Sequence, residues 1–156
     1  MGPLPPRLVV PSPNGATIAT LAVTSGVVVA ACLRNARAVG AWLGQRYGGT
    51  EAPVTVIAAG ERWPDGSLRP AFEDWFGAGA VITSFAEHGA VSLSPDAEAA
   101  GATYDGMREG VLEALRRCDS GVELAQAGFG ADVELAAAVD VSDAVPVLAA
   151  GAFRAS

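Results

Sequence analysis

Apolar runs alternate with helix-like stretches along the first half of the chain. Short β-branched and aliphatic runs at 7–10, 26–33 and 52–60 predict buried strands. Between the last two runs, apolar side chains recur at helical spacing over 35–49, and a pair of glycines follows as a helix stop. Strand, helix and strand at this spacing predict a βαβ unit whose strands pair in parallel.

The second half of the chain has a mainly helical pattern. Pro70 suits the first turn of a helix, and Phe72 and Phe76 lie on the apolar stripe of the residues that follow. Later apolar faces predict further helices, and 145–151 predicts a last strand. The sequence therefore predicts an α/β fold: one layered α/β/α domain over 1–156, with a mainly parallel sheet and a mostly helical second half.

Composition and charge exclude several classes of protein. A chain of 156 residues, 51% of them apolar, fits one domain with a sizeable core. Its net charge of −7 argues against nucleic-acid binding, which needs a basic surface. The apolar stretch TIATLAVTSGVVVAACL is too interrupted by polar residues to span a membrane. Two cysteines without a C-x-x-C pair indicate a reduced, cytoplasmic protein.

Polar residues follow three of the predicted strands. Asn14 and Gly15 come after the first, Asn35 after the second and Glu61 after the third. The carboxyl ends of parallel strands meet at one edge of a sheet, where α/β proteins bind ligands. A turn explains Asn14 and a helix N-cap explains Asn35 equally well. Because three strand ends carry polar groups toward one edge, we favour a binding site there.

The stretch GERWPDGSLRPAFEDWFGAG concentrates charged and aromatic side chains in a chain with only 17% charged residues. A loop that merely connects two elements needs turn residues, and does not need Arg, Glu, Asp and Trp together. Arg62 and Arg69 are either solubilising charges or ligands for a phosphate or sulfonate, because the guanidinium fork matches such oxyanions.

Acidic residues of the same stretch are candidate metal ligands. Glu73 and Asp74 lie off the apolar stripe of their helix, near its N-terminus. A solvated helix face is one explanation, and an acid at this position is also favoured by the helix dipole. The alternative is that they and Glu61 serve a hard cation such as Mg²⁺, which prefers carboxylates and waters.

Four segments, in chain order, carry a resemblance to a known family: VVPSPNGATI, ACLRNARAVGAWL, VIAAGERWPDGSLRPAFEDWFGAGAVI and GFGADVELAAAVDVSDAVPVL. Together they resemble the C-terminal portion of the 2-phosphosulfolactate phosphatase family, over nearly the whole chain. The resemblance implies an α/β fold and a Mg²⁺-dependent phosphatase that cleaves 2-phosphosulfolactate to sulfolactate and phosphate. In organisms that make coenzyme M, this reaction is an early step of that pathway.

The resemblance also implies site residues. Asn14 and Gly15 match the family's Asn-Gly turn, Gly60 matches its Ala-Gly loop, and Asp74 matches the acidic start of a helix. Combined with the residue chemistry above, it implies catalytic roles for Asp74 and Glu61 and a metal site at Asp74 and Glu73. The expected contacts to a small anionic phosphorylated substrate are Asn14, Gly15, Asn35, Arg62 and Arg69.

Some family motifs lie outside this sequence, and they leave a second function open. The family's Asp-x-Leu-Arg-Ala-Thr, Gly-Glu-Arg and Asn-Ser-Pro motifs precede the matched portion and are not in the chain. We expect open sheet edges, which a homo-oligomer would cover. The alternative to a phosphatase is a truncated, non-catalytic relative that binds an anion or a partner. A nucleotide-binding Rossmann domain is disfavoured because no glycine-rich fingerprint is present.

Overall fold

Helices dominate the computed structural model, which describes residues 7–10, 12, 14–24 and 26–156. The helices are α1 (Gly15–Ala22), α2 (Ala36–Tyr47), α3 (Phe72–His88), α4 (Pro95–Met107), α5 (Val111–Arg117), α6 (Asp119–Gln126) and α7 (Gly130–Ala136). The strands are β1 (Glu61–Arg62), β2 (Leu68–Arg69), β3 (Pro146–Ala149) and β4 (Ala152–Ala155). The prediction of mixed helix and strand, with a mostly helical second half, is therefore confirmed.

Helix α3 lies at the centre of the core, because α2 packs on one of its sides and α4 on another. Phe76 is fully buried, stacks on Phe72 and contacts the ring of Tyr104 in α4. The close approach of α3 to α4 depends on Gly79, where a Cβ would overlap the carbonyl group of Ala100. The apolar stripe predicted for this helix thus forms the core.

Both ladders between strands are short and antiparallel in the described residues. In one, Glu61 of β1 is opposite Arg69 of β2, so 60–70 forms a small hairpin. In the other, β3 pairs with β4. The strand predicted at 145–151 therefore forms over 146–149.

The predicted parallel sheet is not found among the residues that the structure describes. Residues 26–33 contribute a single antiparallel bridge, from Val29 to Val147, and the described backbone of 52–59 joins no ladder. The physical reason is that runs of β-branched residues favour strand conformation locally, whereas a ladder also needs a second strand in register. Val27 and Ile57 remain about half exposed as a result.

The strand predicted at 7–10 does not form either. Its residues Leu8, Val9 and Val10 are exposed and join no ladder in the described chain. Nor does any described helix combine the length and the hydropathy that crossing a lipid bilayer requires.

Candidate functional site

A pocket of about 150 Å³ opens between the N-terminus of α1, the turn before β1 and the first turn of α3. That volume is large enough for several waters, so a small polar ligand fits. Its described lining consists of Ser12, Asn14, Gly15, Ala59, Gly60, Glu61 and Asp74. The structure therefore brings together four residues that the sequence predicted as a site, namely Asn14, Gly15, Glu61 and Asp74.

Gly60 is the residue that connects the walls of this pocket. Its N–H donates to Asp74 Oδ2 at 2.8 Å, and its carbonyl accepts from Asn14 Nδ2 at 2.5 Å. Its φ of 70° lies in the left-handed region, which glycine adopts without strain. A side chain here would also meet Leu68 of the hairpin. The turn at Gly60 is thus fixed by side chains from two distant segments.

Asn14 precedes α1 and is only 7% exposed. It occupies the N-cap position, yet its side chain does not cap the helix and instead bonds across the chain to Gly60. The first turn of α1 carries no acidic residue, and the N–H of Ala16 donates to the carbonyl of Ser12. A helix N-terminus of this kind favours anions, so this wall of the pocket suits a phosphate oxygen.

Asp74 is half-buried in the first turn of α3. Burial raises the pKa of its carboxyl, the Gly60 N–H partly offsets this, and the charges of Glu73 and Glu61 raise the pKa further. Asp74 and Glu61 both line the pocket, so this wall is acidic. The α1 wall and the acidic wall therefore offer opposite electrostatic environments to a ligand.

The donor atoms of the pocket suit a magnesium ion. The Asp74 and Glu61 carboxylates, the Asn14 amide and the Ser12 hydroxyl supply hard oxygen ligands. Mg²⁺ usually binds one or two carboxylates and completes its shell with waters and substrate phosphate. Within the described ranges no three His, Cys, Asp or Glu side chains form a metal-binding cluster. The protein alone would thus supply only part of the coordination shell.

Glu73 lies outside the lining of the pocket. Its Oε2 accepts a 3.5 Å bond from the thiol of Cys118, which lies between α5 and α6. Successive helix residues point about 100° apart, so the neighbours Glu73 and Asp74 face different surroundings. The role of Glu73 as a metal ligand stays a prediction.

Arg62 and Arg69 belong to the hairpin and are absent from the described lining. Arg62 donates to the carbonyl of Gly66 at 2.8 Å, within the hairpin. Arg69 binds both carboxylate oxygens of Glu123 in α6, at 2.9 and 3.0 Å, and lies 5.5 Å from the centre of the Trp63 ring. Both guanidinium groups have intramolecular partners, and their predicted contacts to substrate are untested.

Asn35 is buried elsewhere, at the end of a 3₁₀ turn before α2. Its Oδ1 accepts from the N–H of Cys32 at 2.8 Å, and its Nδ2 donates to the carbonyl of Ala144 at 3.0 Å. The amide therefore links the segment before α2 to the segment before β3. Its predicted role in substrate binding stays a prediction without support from this geometry.

One contributor to the pocket was missed in the sequence. Ser12 belongs to the same SPNG turn as Asn14, and it lines the pocket beside Gly15. The signal was available, because a hydroxyl before a helix N-terminus is a common ligand of anions. The sequence pattern alone predicts only Asn14 and Gly15 of that stretch as site residues.

Comparison with known proteins gives one family. The family model described as 2-phosphosulpholactate phosphatase matches residues 6–151, which is nearly the whole chain and includes the described pocket residues. The search of curated proteins found no match.

Proposed function

Because the chain belongs to the 2-phosphosulpholactate phosphatase family, we propose that it hydrolyses 2-phosphosulfolactate, or a similar small phosphorylated hydroxy acid, to the hydroxy acid and phosphate. The observation that carries the proposal is the pocket that joins a helix N-terminus to two carboxylates. A phosphate monoester needs both environments: donors for its oxygens, and acidic groups that serve a metal and a water.

Each wall of the pocket has its own part in this mechanism. The Ser12 hydroxyl and the Asn14 amide, at the positive end of the α1 dipole, orient the phosphate oxygens. The carboxylates of Asp74 and Glu61 would hold Mg²⁺ or its waters, and the bound ion would neutralise part of the phosphate charge. Glu61, which is exposed, takes a proton from the water that attacks phosphorus. The ester P–O bond then breaks, and the oxygen of the hydroxy acid takes up a proton.

Charge supports the need for a cation. Two carboxylates and no Arg, Lys or His side chain are found in the lining that the structure describes. A phosphate dianion is repelled by such a pocket unless a cation lies between it and the carboxylates. We therefore propose that phosphate binding and hydrolysis both depend on a divalent cation.

The test is phosphate release from 2-phosphosulfolactate with Mg²⁺ and with a chelator. We expect release only with the metal, and we expect Glu61→Gln to lower kcat by about 100-fold or more, within the usual range for loss of a general base. Glu51→Gln is the matched control, because Glu51 is also exposed but lies outside the described lining. Release that persists in chelator, or a fully active Glu61→Gln, contradicts the mechanism.

A non-catalytic binding protein is the second candidate. The exposed apolar side chains of Leu8, Val9 and Ile57 favour it, because large exposed apolar groups often mark a protein contact. On this alternative a folded sample releases no phosphate, and light scattering shows a stable homo-oligomer. A catalytic monomer excludes it.

A further inference from the structure

We propose that Asn14 and Asp74 are positioning residues, which hold Gly60 from both sides so that the carboxylate of Glu61 stays in the pocket. The proposal rests on the function proposed above, since it assigns a task to Glu61 in that reaction. It adds that Asn14 and Asp74 act through one shared residue. Their effects on the site must therefore be coupled.

The first argument is the weakness of the structure that carries Glu61. Strand β1 has only two residues, and its ladder with β2 has only two residue pairs. A two-stranded hairpin of this length is marginal on its own. The residue immediately before Glu61 is Gly60, and both of its backbone polar groups are bonded to side chains. These two bonds fix the direction in which the chain enters β1.

The second argument is the attachment of α1. None of its residues, Gly15–Ala22, is buried, whereas Asn14 at its start is 7% exposed. The bond from Asn14 to Gly60 joins segments 46 residues apart in sequence. Gly60 is bonded in turn to Asp74 of α3, the helix at the centre of the core. The α1 wall and the acidic wall of the pocket are thus held in a fixed relative position through Gly60.

The third argument concerns which atoms are occupied. Asp74 Oδ2 faces the N–H of Gly60 at 2.8 Å, so this oxygen acts on the protein backbone. One hydrogen of Asn14 Nδ2 is likewise directed to the carbonyl of Gly60. Each side chain therefore spends part of its bonding capacity on the turn, whatever its other atoms contact.

A double-mutant cycle with Asn14→Ala and Asp74→Ala tests the coupling. The readouts are the hydrogen exchange rate of the Gly60 amide, followed by NMR, and kcat and KM for the phosphorylated substrate. We expect each single variant to speed Gly60 exchange at least tenfold. We expect each to lower kcat by about 10- to 100-fold, as for a displaced catalytic group, with a smaller change in KM. The double variant should speed Gly60 exchange little more than the faster single variant does.

Two further variants separate positioning from simple loss of structure. Asp74→Asn keeps an oxygen that can accept from Gly60, so it should restore the slow exchange that Asp74→Ala loses. Ser84→Ala removes another bond from a buried side chain to a backbone carbonyl, from Ser84 Oγ to Arg37 O at 3.2 Å. It should lower stability and leave both Gly60 exchange and kcat unchanged.

Three results would overturn the proposal. These are unchanged Gly60 exchange in Asn14→Ala, fast exchange in Asp74→Asn, and single effects on the Gly60 exchange rate that multiply in the double variant. If Asn14→Ala does not fold, Asn14→Asp keeps the shape but has no amide hydrogen to donate, and the same results decide. If the wild type releases no phosphate, the proposed function fails alone, because the exchange measurements still test the hold on Gly60.

Discussion

Two turns of the same helix are held by different means. In the second turn of α3, Phe76 is fully buried and contacts the aromatic rings of Phe72 and Tyr104. In the first turn, Asp74 is half-buried and is held through a hydrogen bond to Gly60. Apolar packing contributes most of the stability of a domain, whereas the polar bond fixes an orientation at modest net stability. Substitutions in the core should therefore change stability, and substitutions at the pocket should change activity.

The largest expected effect on stability belongs to Phe76→Ala. Removing this ring leaves a cavity in the centre of the core, and such changes cost about 3–5 kcal/mol. Urea unfolding should show this loss, while the fraction that remains folded keeps the kcat of the wild type. Phe129→Ala is the matched control, because its ring is 56% exposed, and it should stay within about 0.5 kcal/mol of wild type. Equal losses in the two variants would contradict the position of the core.

Two glycines of α3 give the next comparison. A methyl group at Gly79 would overlap the carbonyl of Ala100, whereas a methyl group at Gly77 would meet no atom within 4 Å. Overpacking of this kind costs about 1–3 kcal/mol, so Gly79→Ala should lower the free energy of unfolding by that amount. Gly77→Ala should raise it by up to about 1 kcal/mol through helix propensity. A stabilised Gly79→Ala would show that α3 and α4 can move apart freely.

The sequence predicted the helical core well because its information is local. The stripe that contains Phe72 and Phe76 repeats at helical spacing, and those residues are indeed packed against the neighbouring helices. The predicted parallel sheet is not found in the described chain, and the reason is that pairing depends on a partner strand, which no local pattern specifies. Residues 52–59 have the composition of a strand and still join no ladder in the described chain.

The candidate site was predicted in part, for a related reason. Asn14, Glu61 and Asp74 do come together, but through the turn at Gly60 and not at the edge of a parallel sheet. The predicted site residues that lie outside the pocket lining include two whose side chains are bonded to partners far away in the sequence. Arg69 is bound to Glu123, which lies 54 residues further along the chain, and Asn35 is bonded to Ala144 across 109 residues. No spacing rule connects residues so far apart.

A pH series distinguishes the two turns of α3 more finely. Because burial raises the pKa of Asp74 above its ordinary 3.8, the folded chain holds this proton more tightly than the unfolded chain. The resulting stabilisation is complete below the unfolded pKa and is lost as pH rises through the folded pKa. Relative to wild type, Asp74→Asn should therefore gain stability as pH rises across that acidic window and then stay level.

Urea unfolding of both proteins in chelator, at a series of acidic pH values, measures this difference. Asp132→Asn shows the effect of removing an exposed carboxylate from α7. Parallel profiles for wild type and Asp74→Asn would mean that burial does not disfavour the Asp74 charge. Phe76→Ala has no titrating group, so its loss of stability should not follow this profile.

The smallest effect on stability is expected at Arg69, which borders the pocket turn without lining the described pocket. Its two bonds to Glu123 need a planar guanidinium, so Arg69→Lys cannot keep both. The Arg69 side chain is only 13% exposed but that of Glu123 is 60% exposed, so water still screens the pair and the melting temperature should fall only slightly. Arg116→Lys, at the single bond from Arg116 to Glu134, is the control for a surface pair.

If Arg69 instead contacts substrate, as the sequence predicted, Arg69→Lys raises KM several-fold while the melting temperature stays constant. A small loss of stability with unchanged KM assigns Arg69 to the attachment of the hairpin. Substrate binding then depends on the N-terminus of α1 and on the cation that the two carboxylates would hold.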